Sequence, residues 1–376
     1  MSSWFLIIPE SLYTGLFYTI VFLLCMSLCV RYANSNGNSI VEKSKTQPMG
    51  VFLLFAIVAL YIGFRPLQYD FGDTYMYAHS YNNVINSYEP VNWHTEWLWD
   101  DMAYFIKSLG FSVNSYFLVI ALLYVGLMLV CCLKLFPNNA WIALLFFLAS
   151  FSFWGYGVNG LRNGLATSIL LLSVTLIVRK KTANKLWACL LMLFAIAIHR
   201  TSLLPAACVI AAVAAVKEPK VAIRFWLFSI VLSLVAGNSI SEIFSGLGFD
   251  ERMTRYVQAT DAETMSEFSH TGFRWDFLLY SAMPIWLTWY VTVKRNITDR
   301  TFNIIAVTYI LANSFWIMVI RSSFSNRFAY LSWFLYPLVV AYPLLKFHIW
   351  EDQDKKTAKI LLAYSGFTYF MFLIGK

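Results

Sequence analysis

A chain of 376 residues that is 59% hydrophobic and only 13% charged cannot cover itself with a water-facing surface, because soluble domains carry about 25% charged residues. Its net charge of +8 is backed by no basic stretch with interleaved aromatics in a polar segment, which argues against nucleic-acid binding. All six cysteines (Cys25, Cys29, Cys131, Cys132, Cys189 and Cys208) fall in apolar segments, with no spacing that suggests a metal site or a disulfide framework.

Residues 11–30 form the first apolar run. Glu10 precedes it and no basic leader or small-residue cleavage site accompanies it, so it reads as a span and not as a cleavable signal. Runs at 49–64, 113–133, 161–178, 301–320 and 328–345 likewise approach the roughly 20 residues that cross a hydrocarbon core. A helix satisfies all its backbone groups internally, so these runs are expected to be helical. Loop 31–48 carries Arg31, Lys43 and Lys45 against Glu42 and is placed inside. Loop 65–112 carries Asp70, Asp73, Glu89, Glu96, Asp100 and Asp101 against Arg65 and Lys107, which suits the outside. Within it, residues 93–109, with Trp93, Trp97 and Tyr104, suggest an amphipathic helix on the membrane surface.

Residues 185–216 are a largely apolar stretch broken by His199, Arg200 and Pro205, and both flanks are basic. The segment is too long for one span and too short for two. It is therefore read as a re-entrant helix pair that enters and returns on the inner side, with a polar tip that must line protein or water. The chain then goes out over 222–240, runs through an outer loop at 241–272, returns over 273–293, crosses three times more and ends outside. The expectation is an all-α polytopic integral membrane protein, a single transmembrane domain over 1–376, with about twelve membrane helices.

Charges at a membrane boundary are costly and point to function. Arg65 directly follows a span, and Asp70 and Asp73 follow it; Asp73 and Tyr77 share a helical face, although Asp73 after Gly72 also suits a helix N-cap. Arg162 lies in the first turn of a helix beside Asn163 and glycines. A cation there opposes the helix dipole, and free amides beside it make an anion site. His199 stands at the forced break, and imidazole titrates near neutral pH. Arg274 and Asp276 enter a span together, either as a functional pair or as a simple ion pair, and Arg321 and Arg327 flank a tight turn. Five arginines on one face favour a phosphate-bearing ligand, which guanidinium forks grip through paired hydrogen bonds.

In these motifs the chain resembles the EpsG/Wzy-type family of bacterial polysaccharide polymerases. The matching stretches run from Arg65 with 70–77, through 161–166, 199–202 and 273–277, to 326–330; Asn163 stands where the family often has Gln. The resemblance implies a GT-C-like glycosyltransferase in the bacterial inner membrane, with its site facing the periplasm. It would move a growing glycan from undecaprenyl diphosphate to the non-reducing end of a lipid-linked repeat unit, as O-antigen polymerases do, with no metal or other cofactor. Arg65, Arg162, Arg274, Arg321 and Arg327 are expected to bind the diphosphate. Asp73 and His199 compete as the base, with Asp73 preferred because it lies at the outer boundary where the sugars must be and His199 left to order the diphosphate or the break. Asp70, Tyr77, Asp276 and Asn163 are expected to meet the acceptor. Expected partners are the lipid-linked oligosaccharide, membrane lipid and a chain-length regulator protein. Rival readings are a metal-dependent transferase using a polyprenyl-monophosphate sugar, a membrane O-acyltransferase and a polysaccharide-lipid transporter.

Overall fold

The computed structural model describes residues 8–33, 48–92, 96–179, 181–246, 273–321 and 325–375. Loop 34–47, Trp93 and nearly all of the expected outer loop 241–272 lie outside the described residues, as does the side chain of Asn326. Every regular element among the described residues is helical. In chain order the helices are α1 (Glu10–Ala33), α2 (Pro48–Gly63), α3 (Thr74–His79), α4 (Trp97–Ser108), α5 (Val113–Leu135), α6 (Ala140–Leu148), α7 (Phe151–Val158) and α8 (Leu161–Ile177). They continue with α9 (Thr182–Ile198), α10 (Leu203–Ala214), α11 (Pro219–Gly246), α12 (Trp275–Trp289), α13 (Arg300–Met318), α14 (Ser325–Trp333), α15 (Tyr336–Lys346) and α16 (Gln353–Ile374).

Among the described residues six helical stretches are long and apolar enough to cross a membrane, with Arg327–Lys346 of α14 and α15 taken as one, or seven if α6 and α7, bent by 75° at their junction, also count as one span. The protein is thus an all-helical polytopic membrane protein. Four further apolar helices, including α2, α8 and α9, are shorter than 18 residues, so the expected dozen is not reached by full-length spans. Two compact units are present: residues 1–176, 185–199 and 341–376 in one, residues 177–184 and 200–340 in the other.

In the first unit α1 packs on α16 and α2 on α5. Tyr13, Phe17, Val21, Cys25, Leu28 and Tyr32 line the buried stripe of α1 at helical spacing, while Leu12, Ile20, Leu23 and Val30 leave an apolar face exposed for hydrocarbon. At two places in this unit polar groups are visibly satisfied from within, as an apolar solvent demands. The hydroxyls of Tyr13 and Tyr61 each donate to the other's carbonyl, at 2.6 and 2.7 Å. At the α6–α7 bend the Ala149 carbonyl accepts from Thr368 at 2.8 Å, which satisfies a group that the bend exposes.

In the second unit α13 is the central helix, packed on α10, α11 and α14. A buried relay, in which Trp226 donates to Asn313 at 2.8 Å and Asn313 to Ser332 at 3.0 Å, ties α11, α13 and α14 together. Helix α11 kinks at Ala236, and α12 runs into a π-turn at Tyr290–Lys294. Over the segment expected to be re-entrant, the chain forms α9, breaks at His199 and passes through a 3-10 turn over Arg200–Ser202 into α10.

Candidate functional site

The first unit carries a compact charged cluster, and its scaffold begins at Arg65. This arginine directly follows α2 and is almost completely buried. Its Nε and Nη2 donate to the Thr74 hydroxyl at 3.0 and 2.8 Å, its Nη1 to the Ile62 carbonyl at 2.8 Å and its Nη2 also to the Val158 carbonyl at 3.3 Å. The Phe117 ring lies under the guanidinium at 4.6 Å. Arg65 therefore clamps the loop after α2 to the end of α7. The clamp is reinforced by the Thr74 hydroxyl, which donates to the Val158 carbonyl at 2.5 Å.

A second tether lies one residue earlier. Gly72 has φ +61°, a conformation that costs glycine little, and a Cβ there would run into the Asn159 amide. This close approach lets the Asp73 amide donate to Asn159 Oδ1 at 2.8 Å. Asp73 begins α3 but its carboxylate does not cap the helix; it is exposed, as is Asp70.

Helix α3 is thereby held so that Tyr77 faces α8. The Arg162 guanidinium lies 5.5 Å from the Tyr77 ring centre, and Tyr77 in turn packs edge-on against Trp99 of α4 at 5.4 Å. Arg162 stands in the first turn of α8, where the helix dipole disfavours a cation by a few tenths to about 1 kcal/mol. Glu96, immediately before α4, compensates. Its Oε2 accepts from Arg162 Nη1 at 2.7 Å, and its Oε1 meets His199 Nδ1. A carboxylate can only accept, so Nδ1 carries a proton and, in neutral imidazole, Nε2 keeps the free lone pair. The three side chains are 32%, 17% and 22% exposed for Arg162, Glu96 and His199, so the cluster is recessed but reachable.

The electrostatics follow from these contacts. Burial alone would raise the Glu96 carboxyl, but the hydrogen bond from His199 and the charges of His199 and Arg162 outweigh it and hold the group at about 2. Asp100, one helical turn further on, is pushed above the ordinary carboxylate range by burial first and by Glu96 and Asp101, against the pull of Arg162. Burial likewise raises the Tyr77 phenol, and Asp73 and Glu96 add to it against Arg162. Two polar atoms of the cluster, Arg162 Nε and Asn163 Oδ1, are buried without a hydrogen-bond partner among the described residues.

The structure thus brings Tyr77, Arg162, Asn163 and His199 into one neighbourhood, with Asp73 near enough to act on Tyr77. It places Arg65 beneath the loop as a clamp. In the second unit Arg274 grips Asp276 with two hydrogen bonds, at 2.9 and 2.6 Å, and lies over Phe277 at 3.8 Å. Arg321 packs against Gly237, just past the α11 kink, and donates to the Leu234 carbonyl at 3.4 Å. Arg327 stands exposed in the first turn of α14. Sequence reasoning missed Glu96 as a site residue. The signal open to it was an acid at the start of an amphipathic helix in a chain with very few charges.

A helical membrane protein with a recessed arginine–glutamate–histidine cluster is the class that fold and site define. The model of the EpsG family matches residues 50–376. The chain belongs to the EpsG family. No curated protein and no solved structure matches it.

Proposed function

We propose that the protein is a glycosyltransferase that polymerises lipid-linked oligosaccharide repeat units, of the O-antigen polymerase kind. The observation that carries this reading is Arg162: a guanidinium at a helix N-terminus, recessed, with Nε unpartnered, beside an imidazole whose Nδ1 is fixed by a carboxylate. Membership of the EpsG family supports it. The donor is a growing glycan on undecaprenyl diphosphate, and the acceptor is the non-reducing end of a new repeat unit on the same kind of lipid. The site faces the periplasm across the bacterial inner membrane, and a chain-length regulator protein is the expected partner. In this reading the shorter apolar helices and α12 are also membrane-embedded, which brings the total to about twelve in a GT-C-like arrangement.

The chemistry needs two things from the protein. A diphosphate is already a good leaving group, so the departing charge must be neutralised, and Arg162 does this. The acceptor hydroxyl must lose a proton to a base. Of the two candidates, His199 is favoured, because it is fixed beside Arg162 with Nε2 available. Asp70, Asp73, Tyr77 and Asn163 are assigned to the acceptor sugar and Arg65 to positioning the loop. Arg274, Arg321, Arg327 and Asp276 keep their sequence assignments to the phosphate-bearing lipid and its sugars. No metal or other cofactor enters the scheme.

The test is a glycan gel from cells with an intact supply of lipid-linked repeat units, carrying the wild-type protein or Arg162→Ala. A ladder that collapses to single repeat units in the variant supports polymerisation. An unchanged ladder removes Arg162 from the reaction, and no ladder in either strain reopens the transporter and acyltransferase readings.

A further inference from the structure

Arg162 and His199 share one acid, and the sharing leaves the arginine half-used. Glu96 Oε2 takes Arg162 Nη1, while its other oxygen is committed to His199. A guanidinium binds carboxylate or phosphate best through two parallel N–H groups. Here it makes one such bond, and its Nε is buried with no acceptor among the described residues. A phosphate has oxygens to spare for both donors. The geometry is that of an anion seat held by a ligand that fills it only in part.

We infer that Glu96 is a positioning residue that stands in for the donor's diphosphate on Arg162, yields that arm when the donor binds, and keeps its other arm on His199. This rests on the polymerase reading above. Once Arg162 turns to the diphosphate, the charge of Glu96 is no longer shared with that guanidinium and stabilises more strongly the imidazolium that forms as His199 accepts a proton. The acceptor O–H proton passes to Nε2 and the hydroxyl oxygen bonds to the anomeric carbon. The bond from that carbon to the diphosphate oxygen breaks, and its electron pair leaves on the lipid diphosphate held by Arg162. The base is thus at full strength only when the leaving group is seated.

A merely structural ion pair and this exchange predict different things for Glu96→Gln in the full-length protein in lipid nanodiscs. Under the exchange, farnesyl diphosphate, a short polyprenyl probe, binds Glu96→Gln several-fold more tightly than wild type, because its competitor for Arg162 has lost its charge. Farnesyl monophosphate gains less. Turnover with lipid-linked repeat units falls about 10²-fold, the scale of a general base's contribution, and Glu96→Asp restores part of it. Affinity and turnover that fall together, or turnover that does not change, overturn the proposal. Tighter diphosphate binding by Glu96→Gln in a protein that makes no polymer upholds the exchange and refutes the polymerase reading instead. A second measurement needs no variant at Glu96: the ring-nitrogen resonances of His199 shift when farnesyl diphosphate is added to the wild type. Resonances that stay still while the probe binds overturn the proposal.

Discussion

The carboxylate of Glu96 and the guanidinium of Arg162 meet at 2.7 Å although 66 residues separate them in the chain. The contact joins the loop after α2 to the first turn of α8, and His199, 103 residues from Glu96, closes the cluster from the end of α9. Removing one member of a buried pair leaves the other charge uncompensated and costs about 3–5 kcal/mol; this partly exposed pair belongs below that range.

Arg162→Lys separates charge from shape. Lysine keeps the positive charge but loses the planar fork. We expect Arg162→Lys to retain a weak glycan ladder and Arg162→Ala to retain none, with turnover lower by about 10²-fold or more in the alanine variant, as for loss of a group that stabilises developing charge. Equal ladders in the two variants would show that the fork is not used.

Glu96 gives the fold an acid sensitivity whose sign is fixed. Its carboxyl titrates at about 2 in the folded protein against an ordinary 4.5. A depressed carboxyl stabilises the fold above its unfolded pKa, and that contribution is lost as pH falls through the folded one. The thermal midpoint of the wild type in detergent should therefore drop between about pH 4.5 and pH 2 by more than that of Glu96→Gln. The variant should start lower at neutral pH and converge with the wild type in acid. Parallel curves would remove the ion pair from the stability of the fold.

Gly164→Ala tests how closely α8 must lie against α7. A Cβ at Gly164 would stand 2.5 Å from the Tyr156 carbonyl oxygen, a backbone atom that cannot swing aside. The added methyl should push α8 outward, displace Arg162 from Glu96 and lower turnover with the protein still in the membrane. Unaltered turnover would mean that the register of α8 tolerates the shift.

Arg65→Met should act on stability before chemistry. The substitution removes four guanidinium hydrogen bonds while the Thr74 hydroxyl still donates to the Val158 carbonyl, and each lost bond is worth about 0.5–1.5 kcal/mol net. A lower thermal midpoint with normal diphosphate affinity in the surviving folded protein is expected. Weaker affinity with an unchanged midpoint would return Arg65 to the diphosphate.

Chelation separates the polymerase from its metal-dependent rival. Polymerisation by the purified protein should proceed equally with and without EDTA. Loss of activity that Mg²⁺ or Mn²⁺ restores would assign Asp70 and Asp73 to a metal and displace the His199 scheme.

Much of the fold was legible because hydrocarbon is an unforgiving solvent. The runs at 113–133, 301–320 and 328–345 agree to within a few residues with Val113–Leu135, Arg300–Met318 and Arg327–Lys346. The break at His199 was legible too, since polar residues interrupted an apolar run of awkward length, and the ordered motifs sufficed to name the family. The bent pair α6–α7 was not, because residues 140–158 are apolar almost throughout and hydropathy carries no direction. Arg65 and Arg162 look alike in sequence, each a lone arginine at the end of an apolar run. They differ in what folds over them: Thr74 and Phe117 enclose the first, whereas the second keeps an open flank. Glu96 was hidden among the other acids of its loop, since only contacts across 66 and 103 residues set it apart.

The shared acid also constrains how this protein can change over generations. A lineage that loses Glu96 is left with Arg162 and His199 facing one another across a recess, and neither can be repaired alone. Losing Arg162 first leaves a glutamate where the proposed reaction needs an anion seat, and its charge would repel a diphosphate. The three positions should therefore be inherited as a block, and a descendant that departs at one of them should depart at the others or have abandoned the reaction.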